Sequence, residues 1–594
     1  MPENDPDLRI ETTKYRIVEQ AQLNTKLGQA ERLLSQGVLQ DAEALYRDIL
    51  NVLPGQPEAS HGLGLIALHT GNASAAVELM QMAAITLPGD AKIHTNLGLA
   101  LATAGDAASA ESCYLKAIEL EENFVDPHLN LANLLLEAGR TAEAADAYAD
   151  AERLAPDSGP VHYGRSMLEM RRGRPGAAIS ALRQAIAYAP SLLPARINLA
   201  NLLYHEGERE DAVEVLEEAV IYSPDSFDAR LNLCAMLQQT DRTKEAVAIA
   251  RDTLVLAPES PELLLNLSTA ETADGQPEEA WKILDRAIGV APDYAPAKLN
   301  RAMVRLLLGD LPGAWEDFEA RPSRGILPHP NIRAIPAWKG EKLAGKTIIV
   351  WAEQGYGDTI QFARFLPRLK ALGGRVVFLV PEALAPLFTD FPSVDAMIIR
   401  DQVANLPSAD FQTPILSLMH YLSISLEDIE NQTSYLSVKH NPLPHHPGND
   451  FPIIGICWQG SESNPNDHKR SVAPTALLDR LKTQEKHVIG LQYGAHDAPI
   501  ENPGAGTANF GEMATLIMAC DLVISVDTSV AHLAGALGKS VWTLLPYAPD
   551  WRWGLNSQET PWYPTMRLFR QSEPGNWDSV FVALDTAFKR YSFS

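Results

Sequence analysis

Cysteine is scarce in this chain: four among 594 residues, at positions 113, 234, 457 and 520, too few and too scattered for a disulfide framework. Long apolar runs are missing as well. Stretches such as Thr347 to Ala352 fall far short of the roughly 20 residues that cross a bilayer. The opening Met1-Pro-Glu-Asn-Asp-Pro-Asp is acidic where a secretory leader is basic and then apolar, so the expected home is the reducing cytoplasm. Basic residues are also few, 49 Lys+Arg against 75 Asp+Glu, for a formal net charge of −26. The deficit is uneven: residues 1–320 hold 49 acidic and 26 basic residues, net −23, and the remainder 26 against 23, net −3. A polyanionic first half repels phosphate backbones and anionic lipid, which argues against a nucleic-acid partner. With 46% apolar and 21% charged residues the composition is that of folded protein, and the length calls for several folding units.

What the first half does have is a period of 34 residues. Alanine recurs at it nine times without a miss, from Ala42, Ala76 and Ala110 through to Ala314. Glycine keeps the same beat from Gly37 to Gly309, broken only at Asp241. Proline closes most units, from Pro54 to Pro292, with Glu122 substituting once. A fourth series is small throughout, running from Ala30 and Gly64 through Cys234 and Ser268 to Ala302. Small residues at fixed positions let two helices approach, glycine supplies the left-handed stop between them, and proline ends the second helix. The pattern predicts an all-α solenoid of helical hairpins. Its spacing and residue types resemble the tetratricopeptide repeat over residues 23–320, in about nine copies.

Asn96, Asn130, Asn198, Asn232, Asn266 and Asn300 form a further series two residues before the small slot, with glycine in that place at Gly62 and Gly164. In the resembled family this helix lines the concave face. An amide ladder there would grip the backbone of an extended acceptor protein without reading its sequence. The alternative is that these amides fix the geometry between helices.

Past Trp315 the period stops, and a stretch rich in Pro and basic residues follows. The expected organisation is an N-terminal segment 1–22, a repeat superhelix 23–325, a linker 326–345, a first α/β lobe 346–440, an interlobe linker 441–450 and a second lobe 451–594. Thr347-Ile-Ile-Val-Trp-Ala then Glu353-Gln-Gly-Tyr-Gly-Asp reads as strand, glycine loop and helix. Arg375-Val-Val-Phe-Leu-Val is a second strand, and apolar runs at 396–399 and 413–418 continue the alternation of a parallel sheet. In the second lobe the strand candidates are 452–458, 488–491, 521–525 and 540–545. Ligands of such sheets sit outside the strands' carboxyl ends, here in the cleft between lobes. The helical stretch from Asn576 to Arg590 is expected to couple the lobes.

The most informative loop is Ser525-Val-Asp-Thr-Ser-Val-Ala-His-Leu-Ala-Gly-Ala, where Asp527, Thr528 and Ser529 stand between a strand and a small-residue helix. Amides at such a helix start, with neighbouring hydroxyls, can hold a phosphate oxygen. This loop, with His532, resembles the sugar-nucleotide loop of the lipopolysaccharide heptosyltransferases, which have the two-lobed GT-B fold. Gly357-Asp358 after the first strand matches the same family, and the resemblance makes Asp358 the general base; otherwise it caps its helix. Trp458-Gln-Gly-Ser and Trp551-Arg-Trp-Gly resemble the repeat-linked bacterial glycosyltransferases.

A repeat superhelix joined to a GT-B region is similar to O-GlcNAc transferase, and more so to the repeat-linked enzymes that glycosylate flagellin. That resemblance implies a protein acceptor, flagellin, bound by the repeats, and a nonulosonic acid such as pseudaminic acid leaving a CMP carrier; the expected donor is a CMP- or UDP-linked sugar. GT-B enzymes work without metal or other cofactor, and residues 321–594 contain no Asp-x-Asp pair. Donor-site candidates are Gly355, Gly357, Trp458, Gly460, Lys469, Arg470, Asp527, Thr528, Ser529 and His532. Lys469 and Arg470 either face the departing phosphate or lie on a solvated loop; Trp458, Trp551 and Trp553 either stack on ligand or pack. His445 and His446 read as solvated. Two other functions fit the same residues: a scaffold or secretion chaperone whose transferase half no longer turns over, and a glycan or lipopolysaccharide transferase.

Overall fold

The computed structural model describes residues 22–322, 330–353, 355–400, 406–430, 434–438, 451–461, 464, 466–481, 487–494 and 498–592. The interlobe segment with His445 and His446 lies outside them, as do parts of both terminal segments and of the 326–345 linker. The chain forms two compact units, the first ending at Asn232 and the second running from Leu233 to Ser594.

The first unit is built of helical hairpins such as Ala91–Thr103 with Ala107–Leu120 and Val125–Glu137 with Thr141–Leu154, first helices of 13 residues and second helices of 14. Each periodic glycine stands in the left-handed region, with φ from 69° at Gly173 to 90° at Gly207. The periodic alanines are wholly buried between paired helices. Tyr46, Tyr114 and Tyr148 fill the gaps that the small residues leave. That explains the two breaks in the asparagine series. A Cβ at Gly164 would lie 2.5 Å from Cε1 of Tyr148, and one at Gly62 would meet the Tyr46 ring. Restoring the series with Gly164→Asn is therefore expected to destabilise the first unit by about 1–3 kcal/mol through overpacking. Thermal unfolding followed by circular dichroism checks this; an unchanged midpoint would refute the steric account.

The second unit begins with further hairpins of the same kind: Pro261–Ala273 with Pro277–Val290, then Ala295–Leu307 with Leu311–Phe318. Two parallel sheets follow. The first has β1 (Thr347–Trp351), β2 (Arg375–Val380), β3 (Ala396–Ile399) and β4 (Phe411–Pro414) in the order β3-β2-β1-β4. The second has β5 (Ile453–Cys457), β6 (His487–Gly490), β7 (Leu522–Val526), β8 (Val541–Leu545) and β9 (Met566–Arg570) in the order β6-β5-β7-β8-β9. The strand order reverses between β1 and β4 and between β5 and β7, so each sheet opens a crevice where the loops after those strands diverge.

Two expectations change. The apolar run at 413–418 is a strand only to Pro414, after which Ile415–Ser417 turns into a 3-10 helix whose Leu416 N–H donates to Glu353 (3.1 Å). The last hairpin packs on the first lobe: Leu306, Leu311, Trp315 and Phe318 share one buried core with it, and Trp315 donates its indole N–H to the Ile424 carbonyl (3.2 Å). The C-terminal helix, Trp577–Phe588, covers the second sheet, with Val580, Phe581 and Leu584 in the cluster that holds Ile454, Val526 and Trp542. Residues 434–438 do touch both lobes: Tyr435 donates its hydroxyl to Ile360 O (2.9 Å) and its amide to Ala536 O (3.1 Å).

Candidate active site

The loops at the two switch points enclose a cavity of about 1300 Å³. Its first-lobe wall carries Gly355, Gly357 and Asp358, its second-lobe wall Gly460, Arg470, Asp527, Thr528, Ser529 and His532, with Asp550 and Arg552 from the loop after β8. Its remaining side comes from the repeats: Leu299 and Met303 of the Ala295–Leu307 helix, then Phe318 and Arg321.

Asp358 sits in the first turn of the Tyr356–Phe362 helix and accepts the Gly355 N–H at 3.0 Å, so the capping reading is realised. Its other oxygen meets the Arg552 guanidinium from the opposite lobe. Burial raises its pKa above the ordinary carboxylate value, against the pull of Arg552 and with a push from Asp550. Arg552 is itself buried, bonding Asp550 at 2.8 Å and the Gln361 side chain at 2.5 Å. Asp527, at the end of β7, is pushed up to about 6, first by burial and then by the Asp550 charge. Three carboxylates thus crowd two guanidiniums, Arg552 and Arg470.

His532 donates or accepts through Nδ1 with the Tyr563 hydroxyl (2.9 Å) and stacks on Trp553, ring centroids 5.3 Å apart. Burial and the surrounding arginines lower its pKa well below the usual value, so the ring is neutral at neutral pH. Gly357 is glycine because of it: a Cβ there would lie 2.8 Å from the His532 ring. Gly460 has a similar cause, since a Cβ would meet the Asp467 carboxylate and the Arg470 guanidinium. Thr528 stands at the N-cap position of the Ser529–Ala536 helix, and its hydroxyl contacts that of Ser525 at 3.0 Å. Ser529 and Val530, at the start of that helix, line the cavity beside Thr528.

Two named residues stand apart. Trp458 is buried in the core behind β5 and does not line the cavity. Lys469 reaches away from it, to Asp241 (2.6 Å) and the Gln238 carbonyl (3.3 Å) of the repeats. Trp551 does line it, packed edge-on to Trp315 and Phe318. Among the described residues no group of three His, Cys, Asp or Glu side chains is placed to hold a metal ion.

The asparagines are all half-buried. Asn96 bonds His61 (2.8 Å), Asn198 the Tyr163 hydroxyl (3.1 Å) and Asn300 the Thr269 hydroxyl (3.0 Å), each on the first helix of the preceding repeat. Asn232 bonds the Asp228 carbonyl of its own helix (2.8 Å). Three of the six amides, those of Asn96, Asn198 and Asn300, therefore link neighbouring repeats. Asn130 and Asn266 occupy the equivalent positions on the Val125–Glu137 and Pro261–Ala273 helices.

Sequence reasoning passed over Asp550, Arg552 and the repeat-borne wall. Arg552 stands inside the Trp551-Arg-Trp-Gly motif and Asp550 directly before it, neither with a role assigned from the sequence; Leu299 and Met303 carry no signal beyond helical spacing.

Tetratricopeptide-repeat family models match residues 27–91, 91–124, 113–146 and 169–237. The model of glycosyltransferase family 9 (heptosyltransferase) matches residues 504–574, the stretch that holds Asp527, His532, Asp550 and Arg552. Matches to both families thus fall on one chain, the tetratricopeptide repeats before residue 238 and glycosyltransferase family 9 over residues 504–574. It is 28% identical over 334 residues to Protein FlbA of Caulobacter vibrioides, covering 50% of this chain and 55% of that protein. The chain thus spans about half the length of that curated relative. Among solved structures it is similar to YrrB, a TPR protein with an unusual peptide-binding site, at 22% identity over 31% of this chain and 95% of that one, TM-score 0.28. It is also similar to the Cut9–Hcn1 hetero-tetramer of APC/C, at 15% identity over 47% and 55%, TM-score 0.35. No helix among the described residues is long and apolar enough to cross a membrane.

Proposed function

We propose that the protein is a protein O-glycosyltransferase of GT-B type: the repeats present a polypeptide acceptor and the family 9 domain transfers a sugar to its Ser or Thr hydroxyl from a nucleotide carrier. One observation carries this reading. The Ala295–Leu307 helix bears Asn300 of the amide ladder and also Leu299 and Met303 of the cavity wall, so the repeat surface runs directly into the cleft. A cavity of about 1300 Å³ exceeds the ~300–1,000 Å³ of an ordinary small-molecule site and has room for a nucleotide-sugar with an acceptor side chain.

In this mechanism Asp358 takes the acceptor hydroxyl proton as its oxygen bonds the anomeric carbon, and the carbon–oxygen bond to the phosphate breaks. Arg470 and the first amides of the Ser529–Ala536 helix neutralise the departing phosphate, and Asp527 accepts from a ligand hydroxyl. Flagellin as acceptor and a nonulosonic acid as sugar rest on the resemblance to repeat-linked flagellin glycosyltransferases.

The test is transfer of radiolabelled sugar to flagellin by the pure protein, with calorimetry against CMP, UDP and ADP. Nucleotide binding without transfer points to another acceptor, and the absence of both leaves a docking protein. Deleting residues 1–225 separates recruitment from chemistry, because Leu299, Met303, Phe318 and Arg321 belong to the retained unit. Nucleotide binding is expected to survive the deletion and transfer to the protein acceptor to be lost. Undiminished transfer to the protein acceptor would show that residues 1–225 take no part in recruiting it.

A further inference from the structure

The one break in the glycine series falls where a repeat touches the donor loop. Eight repeats place glycine at the left-handed turn; the other places Asp241, which adopts the same conformation at φ 60°. A side chain resists that geometry, and Asp and Asn tolerate it best among non-glycine residues. The departure from the pattern has a partner. Asp241 accepts from Lys469 at 2.6 Å, with His468 4.0 Å away, and Lys469 also donates to the Gln238 carbonyl at 3.3 Å. Gln238 in turn donates its amide to the Asn266 carbonyl on the next repeat (3.1 Å).

Lys469 and Arg470 are consecutive in the short Asp467–Arg470 helix. Successive helical residues point about 100° apart, so a lysine held toward the repeat turns its neighbour toward the cavity. Arg470 lines that cavity, with its Nε donating to Asp467 (2.9 Å), and Asp467 also accepts from the Ser471 hydroxyl (2.8 Å). The Gly460 amide reaches the same Ser471 oxygen at 3.3 Å.

We propose that Asp241 is a positioning residue: it holds residues 466–471 through Lys469, sets the aim of Arg470 in the donor site, and so couples the acceptor-binding repeats to the nucleotide. The inference rests on the cleft being a nucleotide-sugar site. Strained residues that persist beside a ligand site, where the regular residue would relax the backbone, are a sign of such a role. Two features suit coupling. The tether comes from the helix pair next to Asn266, and it acts on the loop rather than on the ligand.

The experiment uses the full-length protein with Asp241→Gly, Asp241→Asn, Lys469→Met, Lys469→Arg and the Asp241→Asn/Lys469→Met pair. It reads thermal midpoint, hydrogen exchange of the amides 466–472, and calorimetry with CMP, UDP and ADP. Asp241→Gly restores the repeat's own residue, so it is expected to fold and to melt no lower than the parent. Its amides at 466–472 are expected to exchange faster, and the nucleotide that binds the parent to bind about two- to tenfold more weakly. The double variant is expected to be no worse than either single, and Lys469→Arg to keep parental affinity. Parental exchange and affinity in every variant would overturn the proposal. If no nucleotide binds the parent, the donor reading fails by itself, and the exchange measurement still decides whether Asp241 holds the loop.

Discussion

Asp358→Asn is expected to lower sugar transfer by about 10²–10⁴-fold while nucleotide affinity stays near the parental value. The amide is almost isosteric: its oxygen still accepts the Gly355 N–H that caps the Tyr356–Phe362 helix, and Arg552 keeps Asp550. What it loses is the capacity to take a proton. Burial already lifts the Asp358 carboxyl above the ordinary range, which brings its basicity nearer to that of a working general base. The same shift sets the pH dependence. Activity of the parent should fall as pH drops through this raised pKa, because the protonated acid cannot accept the hydroxyl's proton. Initial rates measured on both proteins between pH 5 and 8, with calorimetry on the same samples, check the two halves of the statement. Unchanged turnover would take Asp358 out of the base role and leave it a helix cap.

The parts of the molecule that were legible in the sequence are those whose cause is local or repeated. The glycine at each repeat turn is dictated by a backbone angle within four residues of it, and the period multiplies that signal, so even Asp241 keeps the conformation of the residue it replaces. Strands β1, β2, β5, β7 and β8 read as apolar runs because helices cover both faces of a parallel sheet. Strand β9 lies at the sheet's edge, with Arg567 exposed and Arg570 half-buried, and its alternation is too short to register. The site shows the same division. Asp358 and Asp527 follow strands in glycine-rich or hydroxyl-rich loops, a context that marks them. Arg552 reaches Asp358 across 194 residues of chain, and nothing local announces that meeting. The basic pair Lys469-Arg470 shows the limit most plainly: sequence places two cations in one loop but not which of them faces the repeats, and that depends on Asp241.

Arg552→Met should cost the second unit about 3–5 kcal/mol near pH 8, the largest stability loss expected of any single replacement in the cleft. Arg552 is the buried cation shared by Asp358 and Asp550, and its charge also restrains the pKa of Asp527. Methionine fills most of its volume and leaves carboxylates without their counter-charge. The sign of the pH effect follows from the direction of the shifts. Asp358 and Asp527 already have folded-state pKa values raised above those of an unfolded chain, Asp527 to about 6, and removing Arg552 raises both further. A carboxyl raised in this way favours the folded state below its unfolded pKa and loses that contribution as pH rises through the folded one. The penalty of Arg552→Met should therefore shrink as pH falls from 8 to 5, while its carboxyls take up protons. Urea unfolding of parent and variant at both pH values measures it. A loss of equal size at the two would mean that Arg552 supports the fold by packing over Trp551, 4.4 Å from its ring centroid, rather than by balancing the charge of the cleft.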